Sequence, residues 1–219
     1  SSTSAILSGN AITATTNVAA TGASITGNTY TLSSSDTGIT SANAAGGYAA
    51  VSITNNDFSS GDASAYTGID LKDDFDGGTL TLTDNDMTTP IATGIKIASG
   101  TAVIRQSDIS SSGAAGIGIH LVGGLNHAIG TDGNWADKNT LSGLASAITI
   151  DNAVNASTVT ITYNNLESNT LGLTNGDINA KVEAVKNYWG LATDPIAKVN
   201  NNTEFVQYAP WCTANNDDC

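Results

Sequence analysis

"VSITNNDFSS" (residues 51–60) reads as an alternating strand that runs into a polar turn. The phrase returns as "LTLTDNDMTT" (80–89) and as "VTITYNNLES" (159–168), each time with Asn in the same place. Written as apolar-x-x-Asn-x-apolar, it recurs at Leu7/Asn10/Ile12, Ile25/Asn28/Tyr30, Ile53/Asn56/Phe58, Leu82/Asn85/Met87, Ile104/Ser107/Ile109, Ala136/Asn139/Leu141, Ile161/Asn164/Leu166 and Ala184/Asn187/Trp189. Ser replaces Asn once, and Ala weakens two copies. Successive anchors lie 18, 28, 29, 22, 32, 25 and 23 residues apart. A second phrase sits between them: "TGIT" (37–40), "TGIDL" (67–71), "TGIKI" (93–97), "GIGIHL" (116–121) and "SAITI" (146–150).

Periods of 20–50 residues mean stacked solenoid units, and alternation at period two makes them β coils. Coils stack about 4.8 Å apart. An Asn at one turn therefore meets the Asn of the next coil, donating from its amide and accepting at its carbonyl. Such a side chain lies inside without an unpaired group and tolerates left-handed turn geometry. The expected fold is all-β, a single parallel β-helix of about eight coils over residues 1–190. Its structural ladder is Asn10, Asn28, Asn56, Asn85, Ser107, Asn139, Asn164 and Asn187. Residues 191–219, with Phe205, Tyr208, Trp211, Pro195 and Pro210, are expected to form an aromatic C-terminal cap.

With these repeats, the ending "NYWG" (187–190), "DP" (194–195) and "YAPWC" (208–212) resembles that of many secreted bacterial β-helix domains. Over roughly residues 5–190 the chain resembles the right-handed parallel β-helix proteins of the pectin-lyase-like class. The resemblance implies a right-handed coil and leaves activity open, because fold does not imply function. Enzymes of the class commonly begin with a capping helix. Here "SSTSAILSGNAITATTNVAATGASITGN" (1–28) shows neither an aromatic residue nor an amphipathic-helix pattern. The expectation is that the natural protein continues upstream, that a neighbouring copy covers the edge, or that a short irregular coil blunts it. The opening "SSTSAIL", without Met or a charged leader, reads as a mature chain or an excised fragment.

Lys and Arg total 7 against 20 acidic residues, for a net charge of −13. That balance excludes a nucleic-acid binder, which needs a basic surface for phosphates, and disfavours anionic membranes. No apolar run of about 18 residues suggests a membrane span. Cys212 and Cys219 close the sequence in "CTANNDDC". The spacing fits neither a redox CxxC nor a zinc knuckle. The expected reading is a small disulfide clasp and an oxidising, extracellular or cell-surface location, with two free thiols as the alternative.

The residue after the ladder position is Asp57, Asp86 and Asp108 on successive copies. If the register holds, three carboxylates stack outward, a column suited to calcium or, in an enzyme, to paired-carboxylate catalysis. Asp70, Asp73, Asp74 and Asp76 in "IDLKDDFDGG" (69–78), and Asp132 and Asp137 in "TDGNWADKN" (131–139), are further candidate calcium ligands. Solvated turns are the simpler reading of each. His120 and His127 lie far from any Cys in sequence and are read as structural. Lyases of the resembled class combine acidic calcium ligands with a basic proton acceptor, and this chain has one Arg, Arg105; the paired Asp and Gly-His-Gly phrases of the β-helix hydrolases are also missing. Asn155 and Asn201 head sequons for glycosylation.

The function expected from these features is a non-catalytic extracellular structural protein, a self-assembling surface-layer, sheath or filament subunit. Calcium is its candidate cofactor, and its partners are copies of itself or a cell-surface polysaccharide. The alternatives are a carbohydrate-active enzyme or binding module acting on acidic polysaccharide, and an ice-binding solenoid. The last rests on hydroxyl columns Ser24/Thr26, Ser52/Thr54, Thr81/Thr83 and Thr160/Thr162, interrupted at Val103/Arg105 and Trp135/Asp137.

Overall fold

The computed structural model describes residues 4–18, 22–33, 35–41, 50–72, 78–88, 90–112, 115–130, 133–191, 193–200 and 203–214. Its strands pair in parallel and stack as a β-solenoid. One face carries Ser4–Ser8, Gly22–Thr26, Ala50–Ser60, Thr79–Met87, Thr101–Arg105, Ala128–Gly130, Thr160–Thr162, Val182–Glu183 and Val206–Gln207. The opposite face carries Thr16–Val18, Thr37–Ser41, Tyr66–Leu71, Ile91–Ile97, Ile117–Leu121, Ser146–Ile150 and Leu171–Asn175. Those seven strands mark about six turns, fewer than the eight coils expected from eight copies of the repeat. The last copy accounts for much of the difference. Among the described residues its pairing with the second face is the isolated bridge Leu173–Val199.

Alternation turns every second side chain inward. Ile25, Ile53, Leu82, Ile104, Ile129 and Ile161 stack in register behind the first face. Ile39, Ile69, Ile95, Ile119, Ile148 and Leu173 do so behind the second. Burying each such side chain contributes about 1.5–3 kcal/mol.

The ladder runs through all the expected residues. Asn28 reaches Asn56 Oδ1 with both its backbone N–H and its Nδ2, at 3.1 and 3.0 Å. Asn56 Nδ2 donates to Asn85 Oδ1 at 2.9 Å, Asn139 Nδ2 to Asn164 Oδ1 at 2.9 Å, and Asn164 Nδ2 to Asn187 Oδ1 at 3.0 Å. Each Nδ2 also holds the carbonyl of a strand residue one coil back, such as Ile25 for Asn56 and Ile53 for Asn85. Asn10 begins the series at the exposed edge, bonding Asn28 Oδ1.

The left-handed turn belongs to the residue before the ladder rather than to the ladder residue itself. Asn55, Asp84, Gln106, Tyr163 and Lys186 have φ of 54–58°. Such geometry costs about 1–2 kcal/mol for an ordinary L-residue, so the ladder hydrogen bonds hold a strained corner.

Ser107 is the short rung. Its Oγ receives the Asn85 backbone N–H at 3.3 Å, and its own N–H reaches Asn139 Oδ1 at 3.1 Å. Ser107→Asn should restore an amide link across this step and raise unfolding stability by about 1 kcal/mol. Urea denaturation measures this; a loss would show that the step is too tight for Asn.

The sixth copy corrects the expected anchor. Ile129, not Ala136, stacks between Ile104 and Ile161. Ala136 is exposed on the 3₁₀ turn Trp135–Asp137, in an insertion that delays Asn139 by seven residues. Trp135 folds inward and is buried, with Lys138 Nζ 5.4 Å from its ring centre. Gln106 anchors the turn by hydrogen bonds to Asp137 O at 3.1 Å and Asp137 Oδ1 at 3.0 Å.

The second phrase has a packing reason. Gly38, Gly68, Gly94 and Gly172 face inward where a large side chain of the ladder corner crosses the coil, and Gly118 meets Leu144 and the Ala147 carbonyl. A methyl at Gly68 would lie 2.5 Å from Met87 Sδ, and one at Gly38 2.6 Å from Phe58 Cε1. Phe58 in turn stacks on Tyr30, ring centres 4.7 Å apart.

Within the stretch expected to form the cap, described residues pair with the coil before it. Val206 pairs with Val182 and Gln207 with Glu183, and Cys212 bridges Tyr188. Cys212 is buried with Sγ 2.9 Å from Lys186 O. Its expected partner Cys219 lies outside the described residues. No helix among the described residues is long and apolar enough to cross a membrane.

Candidate binding face

The acidic column forms as its spacing implies. Asp57 pairs with Asp86 in the strand register, and the Asp108 N–H donates to Asp86 Oδ1 at 3.2 Å. All three side chains are exposed at the corner. Partial burial pushes the Asp86 and Asp108 carboxyls up; charge from Asp108, Asp84 and Asp57 adds to the rise at Asp86, while the Asp108 N–H opposes it. A folded pKa above the unfolded value of about 3.9 means that stability is greatest at lower pH and is lost as pH rises through the folded value. Asp86→Asn should thus stabilise the fold at pH 7 by a few tenths of a kcal/mol, less in high salt, and not at pH 3. Denaturant titrations at the two pH values check this; equal effects at both would refute it.

Of the remaining acidic candidates, the structure describes Asp70 and Asp137. Asp70 faces outward from the second face, 3.5 Å from Lys96 Nζ. Both Asp137 oxygens accept hydrogen bonds, from Gln106 Nε2 and Asn134 Nδ2. Asp73, Asp74, Asp76 and Asp132 lie outside the described residues. Among the described residues no group of three or more His, Cys, Asp or Glu is placed to share a metal ion.

His120 points outward and meets Asp151 Oδ1 at 3.0 Å. His127 is buried: its Nδ1 accepts from the Ala102 N–H at 3.2 Å, and its Nε2 donates to Gly123 O at 3.0 Å. That arrangement needs a neutral ring, and burial lowers its pKa. Its sign is opposite to that of the Asp pair, so stability is lost as pH falls below about 6.5. Asn155 is exposed, and its Oδ1 accepts from Ser157 Oγ at 2.7 Å. Asn201 lies outside the described residues.

The first face carries the hydroxyl columns. Ser24, Ser52 and Thr81 stack in register, as do Thr26, Thr54 and Thr83, and Thr54 Oγ1 donates to Thr26 Oγ1 at 3.1 Å. Val103 and Arg105 follow on the next coil. The coil after that presents Ala128 and Gly130, not Trp135 and Asp137 as the shifted anchor implied.

These small residues open a depression of about 250 Å³ between Arg105 and the pair Thr160/Thr162. A second hollow of about 430 Å³ adjoins it across the same threonines, walled by Tyr163, Glu183 and Lys186. Together they form a trough along the solenoid axis, three coil steps or roughly 14 Å long. Gly130 is required by the backbone: φ is +89°, and any Cβ would collide with the Thr162 carbonyl oxygen and the ladder residue Asn164.

Arg105 is half-buried, with no carboxylate in ion-pair range among the described residues. At the far end Lys186 Nζ donates to Tyr163 OH at 3.0 Å. Two of the chain's 7 basic residues thus mark the ends of one trough in a strongly acidic protein. Only the Ile129 register reveals it; "HAIG" (127–130) carried that signal in its alternation.

No family model, curated protein or solved structure matches the chain.

Proposed function

We propose that the protein is a non-catalytic extracellular β-solenoid that holds an acidic cell-surface polysaccharide in the trough between Arg105 and Lys186. Arg105 carries the reading. A guanidinium takes a carboxylate through two parallel hydrogen bonds, and this one borders the depression with no carboxylate in ion-pair range among the described residues. Thr160, Thr162 and Tyr163 supply hydroxyl donors and acceptors for the sugar, and Glu183 accepts from its hydroxyls. Kinship with the secreted pectin-lyase-like β-helices belongs to the same proposal, supported by the ladder and the "NYWG" ending.

The test is retention on immobilised polysaccharides at physiological salt. Polyuronates should retain the protein and leave intact, whereas neutral glucans should not compete at this trough. Cleavage of the polymer, lost in Asp86→Ala, would move the function to the acidic column and make the protein an enzyme.

A second reading, a self-assembling surface-layer, sheath or filament subunit, is favoured by the hydroxyl columns. Short Ser and Thr side chains in register offer self-complementary hydrogen bonding at little entropic cost. Net charge opposes such contact, so millimolar calcium or mild acid should promote it. Sedimentation across a concentration series with and without calcium decides; a monomer throughout rejects this reading. Thermal hysteresis would instead assign the columns to ice.

A further inference from the structure

A third hollow, of about 340 Å³, lies in the C-terminal coil, remote in sequence from Arg105. Its walls are Tyr208, Trp211, Asp194, Lys181 and Gln207. The Tyr208 and Trp211 rings stand 6.3 Å apart at 44°, a tilted pair with both residues half-buried. We propose that this hollow binds a neutral saccharide unit.

The chemistry of the walls selects that class. Aromatic faces give a ligand large apolar contact at low entropic cost, while polar groups around them fix its orientation. Asp194 places one oxygen, Oδ1, on the Ile196 N–H at 3.0 Å and faces the Tyr208 hydroxyl, which fixes the carboxylate in the wall. Burial and the Asp194 charge hold the Tyr208 phenol above its ordinary range, so it stays a neutral donor.

Lys181 supplies an ammonium and Gln207 an amide at the exposed rim. One carboxylate and one ammonium offset each other, so the hollow favours neither an anion nor a cation. It offers hydroxyl-matching donors and acceptors beside apolar rings, as a neutral sugar ring requires.

The alternatives fit less well. A quaternary ammonium suits aromatic rings beside a carboxylate, but Lys181 on the wall repels it. An acidic sugar would meet Asp194. The site is independent of the trough, and the two proposals can fail separately.

Tryptophan fluorescence tests it, because Trp135 and Trp189 are buried elsewhere. The full chain is titrated with neutral gluco-, manno- and xylo-oligosaccharides, with tetramethylammonium and with a uronate oligomer. At least one neutral series should shift the emission saturably. Lys181→Ala, an exposed change, should weaken that binding about threefold or more with an unchanged melting temperature, and Tyr208→Ala about tenfold or more. Arg105→Ala should leave it intact. If Tyr208→Ala loosens the tail, Tyr208→Phe is the milder check and should still weaken binding. Overturning results are no neutral series shifting the emission, shifts that persist unchanged in Lys181→Ala and Tyr208→Phe, or tetramethylammonium or the uronate binding there more tightly than any neutral sugar.

Discussion

Asn56→Ala is expected to lower unfolding stability by about 3–5 kcal/mol, enough to unfold many domains of ordinary stability. The change strands groups on both sides of one rung. The Asn28 N–H and Nδ2 lose their shared acceptor. The carbonyls of Ile25 and Thr54 lose a donor, and Asn85 Oδ1 loses the Asn56 amide. Asn56 is fully buried, so water does not replace these bonds in the folded state. Each unsatisfied buried group costs about 1–3 kcal/mol. Asn56→Ser should cost less, because Ser107 already serves as a rung. Equilibrium urea denaturation measures both, and a loss below about 1 kcal/mol in Asn56→Ala would mean that the ladder is decorative.

Gly172→Ala is expected to cost about 1–3 kcal/mol by overpacking. Its new methyl would lie 2.5 and 2.7 Å from Trp189 Cε3 and Cζ3, with the next neighbour, Lys198 O, at 3.6 Å. The clash is thus with one ring, and the ring is fully buried. Trp189→Leu alone should cost about 2–4 kcal/mol through its cavity. The double variant should lose at least about 1 kcal/mol less than the two single losses together. Gly94→Ala has no such rescue, because its Cβ would sit 2.6 Å from the backbone oxygen of Gly118. Strict additivity at Gly172 and Trp189 would contradict the packing.

The ladder was legible because its residues keep one offset from an apolar anchor, and the hydrogen bonds that enforce this offset are the same at each rung. The acidic column was legible for the same reason, one residue further on. The sixth coil was not, since the insertion holding Trp135 separates Ile129 from Asn139 and supplies Ala136 at the expected spacing. The inward glycines were visible as a phrase, but their purpose depends on side chains from another part of the coil, such as Met87 over Gly68. The trough was illegible for a deeper reason. Arg105, Thr162 and Lys186 come together only through stacking, and the one local signal, the alternation of "HAIG" (127–130), gives the register of the coil between them but not its neighbours. The pairing of the tail with the coil before it, through Val206 and Cys212, was not legible because aromatic and turn residues break the alternation there.

Acidic saccharide recognition by Arg105 is tested most directly by calorimetric titration of wild type, Arg105→Ala and Arg105→Lys with a uronate oligomer at physiological salt. Wild type should bind, Arg105→Ala should lose roughly tenfold or more through the missing charge-assisted bonds, and Arg105→Lys should fall between, keeping the charge without the fork. No binding by the wild type, or equal binding by Arg105→Ala, would contradict the account.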